Sequence, residues 1–222
     1  MKFVSKGEVT MKGITFGNLH SYNALRLILN AKEIGTPEPK VETIDIPGSD
    51  GVLDLTEFFG AVKYNNRKLS FEFSTIVPQY QFMSVFSDVQ NALHGKKMNI
   101  KLDADPEWYY IGRISVSEWK TDKRLGLLTI DCDCEPFKQS IYTTTYTKTV
   151  TSNATIALEN DKMPCIPTIT TSSQFLISYG GYNDIYPAGT FTIPELELHE
   201  GINQVYVEGN GNISFTYRKG RL

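Results

Sequence analysis

The chain has 222 residues, 41% hydrophobic and 12% aromatic, which is enough to bury a sizeable core and excludes a disordered protein. A length in this range holds one large or two small domains. The formal net charge of −3 excludes attraction to nucleic acid or anionic lipid through bulk charge.

Met1 to Thr10 lacks the apolar core of a signal peptide, and no stretch approaches membrane-spanning length, so synthesis and folding in the cytosol are expected, with no membrane insertion. Ser21 to Leu29 admits a helix, but Leu25, Leu27 and Leu29 also fit the period of a strand, which is the reading preferred. Next comes Ile46-Pro47-Gly48-Ser49-Asp50-Gly51-Val52-Leu53-Asp54-Leu55. Its Ser49-Asp50-Gly51 reads as a tight turn, with Asp50 accepting backbone hydrogen bonds and Gly51 at positive φ. Apolar Val52 and Leu53 stand where a calcium loop needs oxygen ligands. Beyond Tyr64-Asn65-Asn66-Arg67, the residues Leu69, Phe71 and Phe73 alternate with Ser70, Glu72 and Ser74, the pattern of a half-buried strand.

One segment departs from period two. Between Pro78 and Gly95, Phe82, Val85, Phe86, Val89 and Leu93 fall on one helical stripe, predicting an amphipathic helix over about 79–94 whose stripe is core. Pro78 suits its start and Gly95 its C-terminal cap, and His94 at that end is placed to interact with the helix dipole. Met98, Ile100 and Leu102 then alternate again. Trp108 to Trp119 reads as a strand with a bulge near Gly112, and Leu125 to Cys134 as its hairpin partner across the charged turn Lys120 to Arg124.

Composition changes after Phe137: residues 138 to 222 carry only 13 of the 47 charged side chains and are rich in Thr and Tyr. Ile141 to Thr151 is nearly all β-branched or aromatic, and Pro164 and Pro167 suggest an edge strand or a strand start. Gly201 to Val207 and Ile213 to Tyr217, joined by Gly209-Asn210-Gly211-Asn212, read as a terminal hairpin. The expected architecture is therefore mainly β: a β-sandwich flanked by one helix over 1–137, and a small β-sandwich over 138–222.

Chemistry is sparse. His20, His94 and His199 have no metal-type spacing, and no nucleophile elbow, zinc-protease pair or phosphate loop is present. Cys132 and Cys134 lie two apart, pointing the same way in a strand, and with Cys165 they form neither a disulfide framework nor a zinc motif; buried small hydrophobes are expected. Asp103, Asp105 and Glu107 precede Trp108-Tyr109-Tyr110 as in some sugar sites, though a solvated turn explains them better. Arg67 and Arg113 are rigid forks suited to pairing with an acid such as Asp54, within one subunit or across a contact between copies.

Five segments in order, Ile46 to Leu55, Tyr64 to Arg67, Leu93-His94-Gly95-Lys96, Tyr109-Tyr110-Ile111-Gly112-Arg113 and Cys134-Glu135-Pro136-Phe137, resemble the distal tail protein family of long-tailed phages and prophages of Gram-positive bacteria. The resemblance implies a structural, non-enzymatic protein: a tail-tube-like N-terminal domain whose six copies form a ring around the DNA channel, and a galectin-like C-terminal domain. It implies as partners the tail tube protein, a tail-associated lysin-like tail-tip protein and a receptor-binding protein, at the tip of the virion tail, with no cofactor. Pro47, Gly48, Asp50, Gly51, Asp54, Arg67, His94, Gly95, Gly112 and Arg113 are the signature positions it carries over. The alternative is a cell-wall carbohydrate-binding module using exposed Tyr179, Tyr182 and Tyr186 to stack on sugars.

Overall fold

The computed structural model describes residues 12–222 except 59, 76 and 122–124. The signal-peptide reading of Met1 to Thr10 and the tip of the Lys120–Arg124 turn fall outside them. The protein is mainly β with a single helix among the described residues, and divides after Pro136 into two compact units.

The first unit holds β1 (Ile14–Phe16), β2 (Leu19–His20), β3 (Leu27–Ile34), β4 (Thr43–Asp45), β5 (Val52–Asp54), β6 (Arg67–Thr75), helix α1 (Phe82–Leu93), β7 (Lys97–Leu102), β8 (Trp108–Thr121) and β9 (Gly126–Cys134). The strand preference within 21–29 holds for its end only, since β3 begins at Leu27. One antiparallel sheet runs β2-β1-β7-β8-β9-β6-β3, with β4 and β5 forming a separate ribbon. The period-two pattern of β6 buries Leu69, Phe71 and Phe73 completely. Phe16 on β1 meets Phe71 and Phe73 at ring distances of 6.1 and 6.4 Å, although three strands separate β1 from β6 in the sheet order. The sheet must therefore curl until its inner face closes on itself, as twisted strands favour.

Helix α1 follows a 3-10 turn over Gln79–Gln81 and lays Phe82, Val85, Val89 and Leu93 inward. Phe82 and Phe86 pack on Trp119 of β8 at 6.1 and 5.1 Å. The β8–β9 hairpin forms as its alternation predicts, but its bulge lies between Val116 and Glu118 rather than at Gly112. That bulge rotates Trp119 inward toward the helix, two residues after the alternation would have faced it to solvent.

In the second unit, β10 (Lys138–Ser140) pairs with β19 (Gly220–Arg221). Between them run β11 (Thr144–Val150), β12 (Asn153–Asn160), β13 (Thr168–Thr171), β14 (Phe175–Tyr179), β15 (Tyr182–Tyr186), β16 (Gly189–Thr192), β17 (Gly201–Gly209) and β18 (Gly211–Tyr217). They form two four-stranded sheets, β11-β18-β13-β16 and β12-β17-β14-β15, with Ile169, Ile213 and Phe215 of one and Ile156, Ile177, Val205 and Val207 of the other in a common core.

One expectation is corrected here and one alternative decided. The strands over 201–217 do not form a hairpin: β17 and β18 belong to different sheets, and Gly209-Asn210-Gly211 carries the chain across the core from one to the other. Only glycine fits the crossing, because a Cβ on Gly209 would stand 2.6 Å from the Phe175 ring and 2.8 Å from the Gln174 carbonyl. The prolines at 164 and 167 precede β13, as a strand start requires, but β13 is an interior strand between β18 and β16.

Phe71→Ala is expected to cost about 3–5 kcal/mol, the range for emptying a fully buried aromatic site. Urea unfolding followed by tryptophan fluorescence checks this, because Trp119 lies in the same core.

Candidate functional site

Between β3 and β6 the chain leaves the sheet and returns as an arm. Lys40 N–H to Lys63 O and Asn65 N–H to Glu38 O, both 2.8 Å, close its base. Pro47-Gly48 makes its tip turn, with Ser49 N–H bonded to Ile46 O at 3.1 Å and Gly48 at φ +84°. This is the geometry of a type II turn, for which Pro then Gly are the suited residues. Gly51 follows at φ +75°; Asp50 accepts at its backbone carbonyl, from the Ser49 hydroxyl. β4 and β5 pair as Thr43 with Asp54, Ile44 with Leu53 and Asp45 with Val52. Asp54 Oδ1 accepts the Thr56 N–H at 2.9 Å, and the Thr56 hydroxyl and N–H together hold its carboxyl below the usual range.

Both faces of this ribbon are open: Ile44 is 51% exposed, Val52 57% and Phe58 72%, and Val41, Ile46 and Leu53 are exposed as well. A two-stranded ribbon is marginal alone in water, and exposed apolar side chains gathered on one such element mark an interaction site.

The outer face of the sheet carries a cleft of about 670 Å³. Two rows of side chains cross its floor in register, Arg113–Asp133–Lys68 and Ser115–Asp131–Ser70–Glu33. Asp131 accepts from the Ser70 hydroxyl at 2.6 Å, and Asp133 from the Asn66 amide at 3.2 Å. Gly35, where the arm begins, forms one rim; His94 and Gly95, just past α1, form another. The alternating polar positions 68/70 and 131/133 are the signal in the sequence that would have found this floor.

The signature residues prove to be joints around the two features. Arg67 is buried, and the expected ion pair with Asp54 is not what holds it. Its Nε donates to Gly35 O at 2.9 Å, its Nη1 to Pro136 O at 3.3 Å, and its guanidinium lies 5.2 Å from the Tyr110 ring centroid. Asp54 lies out on the exposed arm, whereas two backbone carbonyls already take up the fork. Arg113 donates to Gly95 O at 2.6 Å. His94 is the C-cap of α1, but its Nδ1 accepts the Val116 N–H at 3.1 Å, so that nitrogen serves the β8 bulge as an acceptor instead of presenting positive charge to the helix. Gly95 stands at φ +77°. Gly112 is there for space: an added Cβ would collide with Cys134 Sγ and lie 2.9 Å from Asp133 O.

Elsewhere Asp103, His20 and the three tyrosines are occupied. Asp103 Oδ2 holds the Gly13 N–H at 2.9 Å and His20 Nε2 at 3.0 Å, while His20 Nδ1 accepts the Tyr22 and Asn23 amides. Asp103 thus clasps a turn, and no base is left available at that acidic cluster's His. Tyr179, Tyr182 and Tyr186 do come together on β14 and β15, but as half-buried residues packed on the second core, not as exposed platforms. Tyr186 stacks on Phe191 at 4.6 Å, the Tyr182 and Tyr186 hydroxyls bond to each other, and the Tyr179 hydroxyl donates to Asn203 Oδ1 at 2.8 Å. Tyr179 and Tyr182 thereby become harder to ionise, the first through burial and the second chiefly through its bond to Tyr186. Burial also pushes up all three thiols, Cys134 to about 12 and Cys165 to about 11, with Cys132 raised further. No group of described residues has the composition of a metal site, and no described helix is long and apolar enough to cross a membrane.

The sequence matches no protein-family model and no curated protein. Among solved structures, the Dit protein of phage SPP1 superposes with a TM-score of 0.71 over 95% of this chain and 99% of its own, at 13% identity. The chain has the Dit fold. SPP1 Dit is described as a paradigm of the hub adsorption apparatus in phages that infect Gram-positive bacteria. The phage p2 baseplate in its activated conformation also aligns, over 94% of this chain and 97% of its own, at a TM-score of 0.41 and 8% identity. The Dit likeness spans both units, so neither is an addition foreign to that fold.

Two outcomes are expected. Arg67→Ala should lose at least about 2 kcal/mol, because two carbonyls lose a charged donor, and Arg67→Lys should not restore it, lacking the planar fork; thermal melts of both variants decide. The three thiols should resist a colorimetric disulfide reagent at pH 8 in the folded protein and react only in denaturant, since the thiolate is the nucleophile.

Proposed function

We propose that this protein is a structural component of a phage tail, six copies of which close into a ring at the distal end of the tail. The observation that carries the reading is the Dit fold over nearly the whole of both chains. In this reading the ring joins the tail tube on one side to a tail-associated lysin-like tip protein on the other, and DNA passes through it without specific binding. Residues 1–137 form the ring with a tail-tube-like sandwich. Residues 138–222, a galectin-like sandwich, face outward toward a receptor-binding protein.

The role is assembly and not catalysis. The exposed apolar arm supports it, since a surface that water does not favour gains by being covered in a complex. Heterologous contact between identical chains closes into a ring when the rotation between neighbours closes. The carbohydrate-binding alternative stands second, because the tyrosine rings that would stack on sugar already stack on the core.

Six copies of a 25.0 kDa chain give about 150 kDa. Light scattering on the purified protein is expected to report that mass, with six-fold particles and a central hole in negative stain. A chain that stays monomeric at high concentration with the tail-tip protein added, and binds glycan, would overturn the ring and bring the alternative forward.

A further inference from the structure

The first unit leaves two features without a counterpart within itself: the arm, open on both faces, and the cleft, none of whose lining residues comes from the arm. Their charges differ in kind. Residues 36–60 carry Glu38, Glu42, Asp45, Asp50, Asp54 and Glu57 against the single cation Lys40, a net charge of −5, which leaves the rest of the chain at +2. In the cleft, Lys68 and Arg113 flank Asp133, which Asn66 holds; among the described residues neither cation has a carboxylate within ion-pair distance. Asp131 is engaged by Ser70, so Glu33 is the acid left facing the cleft, and it stands on the β3 rim.

We infer that the arm of one copy lies in the cleft of the next, the carboxylates of its Thr43/Asp45/Asp54 face meeting Arg113 and Lys68, and that this contact links the copies. The inference rests on the ring reading above and names its interface. Pairing across the ribbon puts Asp45 and Asp54, with Thr43 and Val52, on one face and Ile44 and Leu53 on the other. The first face then supplies charge, while the second gives the neighbour apolar surface to cover. Lys40 is the arm's match for Glu33. The arm springs from Gly35, on the rim of its own cleft, and its strands are exposed along their whole length, so the cleft it enters belongs to a second copy. Each chain gives one arm and receives one, a head-to-tail contact that propagates around a ring.

The test uses two charge-reversed full-length chains, Asp45→Lys with Asp54→Lys and Lys68→Glu with Arg113→Glu. Each alone should reduce the ring fraction in light scattering by about tenfold or more, from like charges brought face to face. Mixed one to one, the two should rebuild a ring of the original mass with the variants alternating, which misfolded chains could not do. The single reversals Asp45→Lys and Lys68→Glu remove no side-chain bond described above, and repeat the mixing experiment if a double variant melts early. Variants that assemble alone as the unaltered chain does, or folded variants that fail to assemble on mixing, overturn this interface and leave the ring standing. An unaltered chain that forms no ring overturns the ring reading, and this inference with it.

Discussion

Phe16, Phe71 and Phe73 meet at ring distances of 6.1 to 6.5 Å, largely edge to face, and the first unit depends on that meeting. Their strands lie far apart in the sheet order, so the rings can touch only if the sheet curls and encloses its own inner face. Once it curls, that face is a core and α1 has an apolar surface to close. The energetic logic is ordinary: each fully buried Phe contributes roughly 1.5–3 kcal/mol, and the three also gain from ring geometry.

Arg67 ties that core to the arm. Its guanidinium reaches Gly35 O, where the chain leaves for the arm, and Pro136 O, where the first unit ends. A buried cation bonded only to carbonyls is costly unless the fork is well filled. The fork here is filled by two points on the chain that sequence separates widely, with the Tyr110 ring against it. The base of the arm is therefore fixed while its strands stay exposed. Such an element suits binding: little ordering is left to be done when a partner covers it.

The second unit answers a different demand. Its Asn203 amide donates to the Leu158, His199 and Gly201 carbonyls, and its Oδ1 accepts from Tyr179 and the His199 amide. The tyrosine hydroxyls are thus part of how a small sandwich satisfies its buried polar atoms, which explains why a Tyr-rich sequence need not be a sugar site. The glycine crossing at 209–211 carries one continuous stretch of chain through both sheets, so the two layers share a covalent seam as well as a core.

Local chemistry made much of this legible in the sequence. Alternation located β6 through β9, the helical stripe located α1, and Ser49-Asp50-Gly51 announced a turn that the chain makes two residues earlier at Pro47-Gly48, because side-chain period and backbone permissiveness act over a few residues. The paired partner of each strand was legible only for a direct hairpin such as β8–β9. Gly209-Asn210-Gly211 looks like a hairpin turn in sequence and is a sheet crossing in space, since what excludes a Cβ there is Phe175, a residue brought in by packing. Gly112 owes its place to Cys134 on the neighbouring strand, and Arg67 its partners to two distant carbonyls. The cleft joins positions from β3, β6, β8 and β9 that no local pattern connects. The sequence by itself determined which residues face a core and where the chain turns; the tertiary structure decided which core, which sheet and which neighbours, because strand order and curvature are set by long-range packing.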